Sequence, residues 1–255
     1  MVMYSPLEVA REAAHAAEVV IRQHYCSHLA VDFKADHTPV TLADREAERV
    51  IKNIIHHAFP DHGFYGEESG LDKADAEYLW LVDPIDGTKS FVRRYPFFST
   101  QIALLHHGEI ILGVSNAPLF EELAWAERGK GACLNGQPLH VSPIQELAQA
   151  VLSFGNIQSL VRDHTAGFAR LVAACDRVRG YGDFYHSHRL ADGSLDVVVE
   201  SEVSILDVAA LSLIIQEAGG QVTDLNGDPL NLNSCSFLAT NGHLHAAVAD
   251  CLFDR

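Results

Sequence analysis

The chain has 255 residues, of which 48% are hydrophobic, so it can bury the core of one large domain or of two subdomains. Acidic residues outnumber basic ones by 34 to 18, and the formal net charge is -16. This balance argues against nucleic acid as a substrate and against an anionic membrane as a partner, and it means that an anionic substrate would need metal ions beside it.

The sequence shows no signal for export or for membrane insertion. Glu8, Arg11 and Glu12 interrupt the N-terminal stretch, and no window approaches the roughly 20 apolar residues of a membrane span. Five cysteines are scattered without a CxxC pair, which fits neither a disulfide framework nor a zinc knuckle. We therefore expect a cytoplasmic protein with reduced cysteines.

Two long helices are predicted at the start of the chain. The sequence SPLE from Ser5 resembles a capping box with proline at the first helical position, and this helix is expected to run to about residue 28. A second helix is predicted over residues 41–59, because Thr41 and Asp44 stand at capping spacing and Pro60 follows the last apolar repeat.

Short apolar runs follow from Tyr78 and predict an antiparallel sheet that lies on the helix pair; they read YLWLV, FFSTQIALL, EIILGVSNA and EELAWAE. Asn135-Gly136 is the strongest hairpin signal in the chain. After Pro143 strands alternate with helices, the most apolar of which spans residues 205–218 and ends at Gly219-Gly220. The sequence thus predicts an α+β subdomain over residues 1–145 and an α/β subdomain over residues 146–255, joined in one compact functional unit.

The sequence DPIDGT follows the YLWLV run, and it is expected to form a sharp turn. Pro84 fixes one backbone angle, so Asp83 and Asp86 can leave the strand end on the same side. Gly87 leaves room for a ligand, and a helical turn starting after it would offer free N–H groups to an anion. Two carboxylates beside an anion site indicate divalent cations, and hard oxygen ligands favour Mg²⁺, with Mn²⁺ or Ca²⁺ as alternatives.

Each of these acidic residues also has a purely structural interpretation. DPxDG can be an Asp-Pro turn with an aspartate cap, and Glu67-Glu68 can be a solvated loop. Asp207 and Asp44 each stand near the start of a predicted helix, where an acid is favoured as a cap or by the helix dipole. Taken singly, these residues do not decide between the two interpretations.

Taken together, several segments resemble the inositol monophosphatase-like family of Mg²⁺-dependent, lithium-sensitive phosphatases. The resemblance covers essentially the whole chain, and it is carried by KADHTPVTLAD, GEESG, WLVDPIDGTKSF, ERGKGACLNGQPLHVS and LDVAAL followed by EAGG. It implies the layered αβαβα sandwich of that family. It also implies a small-molecule phosphate ester as substrate, two or three Mg²⁺ ions per active site with Mn²⁺ as a possible substitute, and a homodimer.

The resemblance also implies roles for individual residues. The implied metal ligands are four carboxylates and one backbone carbonyl: Glu67, Asp83, Asp86, Asp207 and Ile85. Backbone N–H groups of Gly87 and Thr88 would hold the phosphate, and the Thr88 hydroxyl would orient the attacking water together with Asp44 and Glu67. Some members of the family have a second role in transcription complexes, so the transcription machinery is an alternative partner.

The leaving group is harder to predict, because the family also acts on histidinol phosphate and inositol phosphates. Glu200 stands where the inositol enzymes have a substrate-contacting acid, and Asp86 and Asp207 are also expected to contact substrate. The segment from Tyr181 to Tyr185 resembles the histidinol-phosphatase branch, and the carboxylate of Asp183 could pair with the amine of histidinol phosphate. The alternatives are that Asp183 caps the next helix and that the substrate is inositol 1-phosphate.

Three pairs of histidines, His56-His57, His106-His107 and His186/His188, are possible metal ligands. The first pair ends a predicted helix and the second occupies a predicted hairpin turn, so the favoured interpretation is that these histidines are surface or structural residues.

Overall fold

A computed structural model describes residues 5–26, 31–33 and 39–253 of the chain. The α-helices of these residues are α1 (Pro6–Tyr25), α2 (Leu42–Ala58), α3 (Thr88–Val92), α4 (Ile157–Ala174), α5 (Asp183–Ala191), α6 (Ile205–Glu217) and α7 (His245–Phe253). The early family segment KADHTPVTLAD lies partly outside the described residues.

The strands form one short antiparallel pair and two larger sheets. The pair consists of β1 (Val31–Phe33) and β2 (Pro39–Thr41). The first sheet contains β3 (Gly63–Gly66), β4 (Gly70–Asp72), β5 (Tyr78–Asp86), β6 (Ser99–His106), β7 (Glu109–Ala117), β8 (Glu122–Glu127), β9 (Ala132–Leu134) and β10 (Gln137–Pro138). The second contains β11 (Val151–Phe154), β12 (Arg177–Arg179), β13 (Val197–Ser201), β14 (Gln221–Thr223) and β15 (Ser236–Thr240).

The start of α1 differs in detail from the prediction. The helix begins at Pro6 as expected, but Ser5 makes no side-chain capping hydrogen bond. Pro6 itself needs no cap for its nitrogen, because proline has no N–H to leave unsatisfied. Helix α2 begins at Leu42, since Thr41 ends strand β2, and the side chain of Thr41 lies outside the described residues.

The first sheet has the order β10-β9-β8-β7-β6-β5-β3-β4, and its pairs are antiparallel except that β3 and β5 are parallel. Residues of β5 alternate between its two faces, as the period of a strand requires. Trp80 and Val82 pack against the core that includes the apolar sides of α1 and α2. Leu79 and Leu81 belong to a second core cluster on the opposite face.

Helix α6 lies in that second core, and it is apolar around nearly its whole circumference. Its buried residues include Leu213 and Ile214, which share one cluster with Leu81 of the first sheet and with Val198 and Phe237 of the second. The far side of the second sheet packs against α4 and α7. The layers are therefore α1 and α2, the first sheet, α6, the second sheet, and α4 with α7, which is the expected αβαβα sandwich.

The second sheet is mixed and has the order β12-β11-β13-β15-β14. Strand β11 is parallel to both of its neighbours, whereas β15 is antiparallel to both of its own. The predicted hairpin at Asn135-Gly136 is confirmed, since both residues have positive φ between paired strands β9 and β10. Among the described residues, no helix is long and apolar enough to cross a bilayer.

Candidate active site

Strand β5 does not end before the DPID segment, as the sequence had suggested, but continues to Asp86 through a β-bulge. Asp83 pairs with Gln101 and Asp86 pairs with Ser99, so β5 has one more residue than β6 between these two pairs. In a regular strand, residues three apart point to opposite faces. The bulge reverses this alternation, and it brings Asp83 and Asp86 to the same side of the sheet.

Three carboxylates meet at this end of β5. Oxygen atoms of Asp83, Asp86 and Asp207 all lie within 4.8 Å of one another. Asp207 comes from the first turn of α6, where its carboxylate accepts the N–H of Ser204 at 2.8 Å and completes a capping box. The structural and the chemical interpretations of Asp207 are therefore compatible, because one oxygen can cap the helix while the carboxylate remains in the cluster.

The environment of the cluster raises the pKa of its carboxyl groups. Burial and the charge of Glu67 raise the pKa of Asp83 well above its usual value, and burial and Asp207 do the same for Asp86. Burial raises the pKa of Asp207 to about 6, although the N–H of Ser204 lowers it. Crowded anions of this kind are stabilised by a divalent cation between them, and an all-oxygen donor set fits a hard ion.

The turn after Asp86 fits an anion beside the carboxylates. Gly87 has φ +88°, and a Cβ at this position would lie 2.6 Å from the carbonyl oxygen of Phe97, so a larger residue would not fit. The Thr88 hydroxyl lies 3.0 Å from the carbonyl oxygen of Ile85 and 3.3 Å from Oδ1 of the fully buried Asp44. The first N–H groups of α3 have no partner within the helix, as at every helix start.

Glu67 follows β3, and its carboxylate is hydrogen-bonded to Asp83. The loop that carries it is held by Glu48 of α2, a residue that we did not identify from the sequence. The buried carboxylate of Glu48 accepts the N–H groups of Glu68 at 2.7 Å and Ser69 at 2.8 Å. Glu48 stands four residues after Asp44 and hence on the same side of α2, a spacing that could have revealed it.

A cleft of about 340 Å³ adjoins the carboxylate cluster. Asp86, Asp207, Asp183 and Glu200 all line it, so the expected substrate-contacting residues are brought together. Asp183 is the first residue of α5, and its carboxylate accepts a hydrogen bond from Ser90 at 3.5 Å. The N-cap of α5 is Gly182, so the alternative that Asp183 caps this helix is wrong.

Glu200 lies on β13 and lines this cleft. Burial raises its pKa well above the usual value, and Asp183 adds a further rise by its charge while its N–H opposes the rise. A Cβ on Gly155 would stand 1.7 Å from Oε1 of Glu200, so only glycine leaves room for this carboxylate. His186 of α5 lies 3.5 Å from the same oxygen. The third histidine pair, His186 and His188, is fully buried, which the sequence did not indicate.

The whole chain is similar to one protein family. The model of the inositol monophosphatase family matches residues 4–252. The histidinol-phosphatase of Mycobacterium tuberculosis is 40% identical over 226 residues, which cover 86% of each chain. The histidinol-phosphatase of Chlorobaculum parvum is 38% identical over 261 residues, which cover 99% of this chain and all of the relative.

A solved structure supports the same assignment. The crystal structure of extragenic suppressor protein suhB from Bartonella henselae superposes with a TM-score of 0.90 at 32% identity, over 96% of this chain and 97% of that one. The chain therefore belongs to the inositol monophosphatase family of phosphoric monoester hydrolases.

Proposed function

We propose that the protein is a Mg²⁺-dependent phosphomonoesterase whose substrate is histidinol phosphate. The observation that carries the proposal is the cluster of Asp83, Asp86 and Asp207 next to the Gly87-Thr88 turn. Asp83, Asp86, Asp207, Glu67 and the carbonyl of Ile85 would hold two or three Mg²⁺ ions. Bound Mg²⁺ neutralises phosphate charge and lowers the pKa of water, which permits direct attack on the ester.

The chain's own residues would orient the reactants. The Thr88 hydroxyl can donate its hydrogen to Asp44, which lies 3.3 Å away, and its lone pairs are then available to a water molecule. Asp44 is thereby placed to take the proton through Thr88. Glu67 and Thr88 both line a second cavity, which also contains Asp83 and Asp86. The N–H groups of Gly87 and Thr88 would bind the phosphate oxygens, in line with the family resemblance.

The substrate assignment rests on Asp183 and Glu200, which both line the cleft. Histidinol phosphate carries an ammonium group, which inositol 1-phosphate lacks. Asp183 and Glu200 place two carboxylates in the cleft beside the metal cluster, and together they can accept that ammonium. Two relatives that match at 40% and 38% identity are named histidinol-phosphatases, which supports the same choice.

Steady-state kinetics on both substrates tests this assignment. We expect kcat/KM to be higher for histidinol phosphate than for inositol 1-phosphate, and Asp183→Asn to lower it about tenfold or more for histidinol phosphate only, as expected for the loss of a charged hydrogen bond. A preference for inositol 1-phosphate would favour the alternative substrate. If Asp183→Asn affected both substrates equally, Asp183 would not recognise the amine.

The metal site is tested separately with Asp83→Asn, which preserves the shape of the side chain. We expect the variant to fold and to lose turnover with Mg²⁺ or Mn²⁺. Retained activity would remove Asp83 from the metal site, and inactivity of the wild type with Mg²⁺ on every phosphate ester tried would contradict the proposed function itself.

The homodimer, inhibition by lithium and a second role as a partner of the transcription machinery remain proposals from the family resemblance. Light scattering on the purified protein would test the first. Pull-down experiments that compare wild type with Asp83→Asn would show whether binding to transcription proteins depends on the phosphatase site.

A further inference from the structure

Glu77, His106 and His107 form a cluster at the opposite end of β5 from the carboxylates. Nε2 of His106 lies 2.9 Å from Oε1 of Glu77, and Nε2 of His107 lies 3.6 Å from the same oxygen. One ligand atom from each residue falls within 4.8 Å of the other two. Because a strand rises about 3.3 Å per residue, Glu77 is roughly 20 Å along β5 from Asp83 and belongs to a separate site.

The β6–β7 hairpin holds the two histidines toward Glu77. His106 pairs with Glu109, and the intervening residues His107 and Gly108 both have positive φ, at 50° and 84°. Such turns favour asparagine, aspartate or glycine at the first position, and histidine there carries a conformational cost. The N–H of His107 donates to the carbonyl oxygen of Glu77 at 3.1 Å, which fixes the turn against the start of β5.

Stacked rings limit the orientation of His106. Its ring stacks on Tyr78 with centroids 4.4 Å apart, and Tyr78 stacks in turn on His62 at 4.7 Å. His62 is itself fixed, since it accepts a hydrogen bond from the indole N–H of Trp80 at 3.0 Å. The ring of His107 lies 4.3 Å from that of His106. The stacked rings therefore hold His106 in place before any ligand binds.

We propose that Glu77, His106 and His107 bind a divalent transition metal, Zn²⁺ in the first instance. Two imidazole nitrogens and one carboxylate oxygen are a donor set suited to Zn²⁺ and not to Mg²⁺. Bonds of 2.0–2.1 Å in a tetrahedral site place ligand atoms about 3.3–3.4 Å apart. The observed separations of 2.9 and 3.6 Å between Oε1 of Glu77 and the two histidine nitrogens bracket this value, and all three ligand atoms lie within 4.8 Å of one another.

The surroundings of the cluster fit a bound metal. The side chains of Glu77, His106 and His107 are 57%, 35% and 70% exposed, so solvent can supply the fourth ligand. The hydrogen bond from His106 lowers the pKa of Glu77, so this carboxylate is ionised at neutral pH. A metal here would tie the hairpin tip to the start of β5, and it would stabilise the folded state because the unfolded chain does not form the site.

Zinc binding to the full chain tests the proposal without using activity. Isothermal titration with Zn²⁺ in excess Mg²⁺ would compare wild type, His106→Ala, His107→Ala and the control His140→Ala, which removes another exposed histidine. We expect the wild type and His140→Ala to bind one more Zn²⁺ than the other two variants, or to bind that ion at least about tenfold more tightly. Thermal melts without metal would confirm that all four proteins are folded.

The comparison separates this site from the active site. Zinc that displaces Mg²⁺ from the carboxylate cluster would bind equally to all four proteins, and equal binding throughout would overturn the proposal. A Co²⁺ titration gives a second readout, because a four-coordinate site with histidine ligands produces visible absorption. Loss of that absorption in His106→Ala and His107→Ala, but not in His140→Ala, is the expected result, and its persistence in them would contradict the site.

Discussion

His186 is a fully buried histidine that lines the cleft beside Glu200. Its Nδ1 lies 3.4 Å from the Ser153 hydroxyl, and its Nε2 lies 3.5 Å from Glu200. Burial lowers its pKa to about 3, so the ring is neutral in the folded protein at neutral pH. An unfolded histidine has a pKa near 6.5. At mildly acidic pH, His186 is therefore protonated in the unfolded chain and neutral in the folded protein.

This difference predicts a pH dependence of stability. The contribution of His186 is fully present above pH 6.5, and it is lost as the pH falls from about 6.5 toward 3, by up to about 1.4 kcal/mol per pH unit. We expect His186→Gln to remove this part of the slope. Urea unfolding of wild type and variant between pH 7.5 and 5 measures how the free energy of unfolding changes with pH. The buried His188 is present in both proteins, so its own contribution to that change is the same in each. Parallel curves would mean that His186 does not set this slope.

At the scale of elements, α5, β6 and β7 are joined by a buried polar chain that reaches the carboxylate cluster. We call it the His188 relay, and its members are His188, Ser115, Gln101 and Ser99. His188 Nε2 lies 2.9 Å from the Ser115 hydroxyl. The Gln101 amide donates to Ser115 at 3.1 Å and to Ser99 at 2.7 Å. Ser99 donates to Asp86 at 3.4 Å, so the relay orients a proposed metal ligand.

Breaking the His188 relay should weaken Mg²⁺ binding. We expect Gln101→Leu to raise the Mg²⁺ concentration for half-maximal activity by 10- to 100-fold, the usual effect of losing a group that orients a metal ligand. Ser212→Ala is the matched control, because it removes a buried hydroxyl that donates to Ala209 outside the relay. An unchanged Mg²⁺ midpoint in Gln101→Leu would show that the relay is structural only.

Helix α2 contributes a second positioning element through Glu48. Its carboxylate fixes the loop of Glu67, and Gly66 permits the approach, because a Cβ there would lie 2.6 Å from the Glu48 carboxylate. We expect Glu48→Ala to leave two N–H groups unpaired, to cost about 1.5–3 kcal/mol in stability and to raise the Mg²⁺ midpoint. Glu48→Gln should be milder, and Glu46→Gln, on a more exposed part of the same helix, should have no effect on the midpoint.

For the molecule as a whole, the sequence predicted the elements better than their pairings. Apolar periodicity and turn residues place α1, α2 and the strands from Tyr78 within a few residues, because these signals are local. The parallel pairing of β3 with β5 is not encoded locally, since GFYG is too short to show a period. The bulge at Asp83 and Asp86 was also missed, because it depends on the register with β6.

The candidate site was predicted only in part, for a similar reason. The residues of DPIDGT and Asp207 carry a family resemblance, so they could be assigned to one site before their positions were known. His186 and the His188 relay act through contacts between distant segments, and no local pattern marks them. Glu48 is marked in the sequence only by its spacing of four residues from Asp44. The two proposed subdomains likewise pack on the two sides of α6 in one core cluster. A boundary near residue 145 in the sequence therefore does not predict how the two subdomains pack together.

The net charge of -16 and the carboxylate cluster together predict that Mg²⁺, the proposed ion, would stabilise the folded molecule. The pKa values of Asp183 and Asp207 are raised to about 6, so without metal their contribution to stability is present at low pH and is lost as the pH rises through 6. Of these two groups, Asp207 would have to be deprotonated to bind Mg²⁺, and the charge of the ion would offset the repulsion among the clustered carboxylates.

We therefore expect the rise in Tm on adding Mg²⁺, measured against EDTA, to be small at pH 5 and to grow toward pH 7.5. Asp83→Asn removes one of the repelling carboxylates, so it should melt at a higher temperature than wild type in EDTA at pH 7.5 and gain less from Mg²⁺. Calorimetry at both pH values measures these shifts. An equal Mg²⁺ effect at pH 5 and 7.5, or an equal effect in both proteins, would mean that the ion stabilises the fold elsewhere than at the carboxylate cluster.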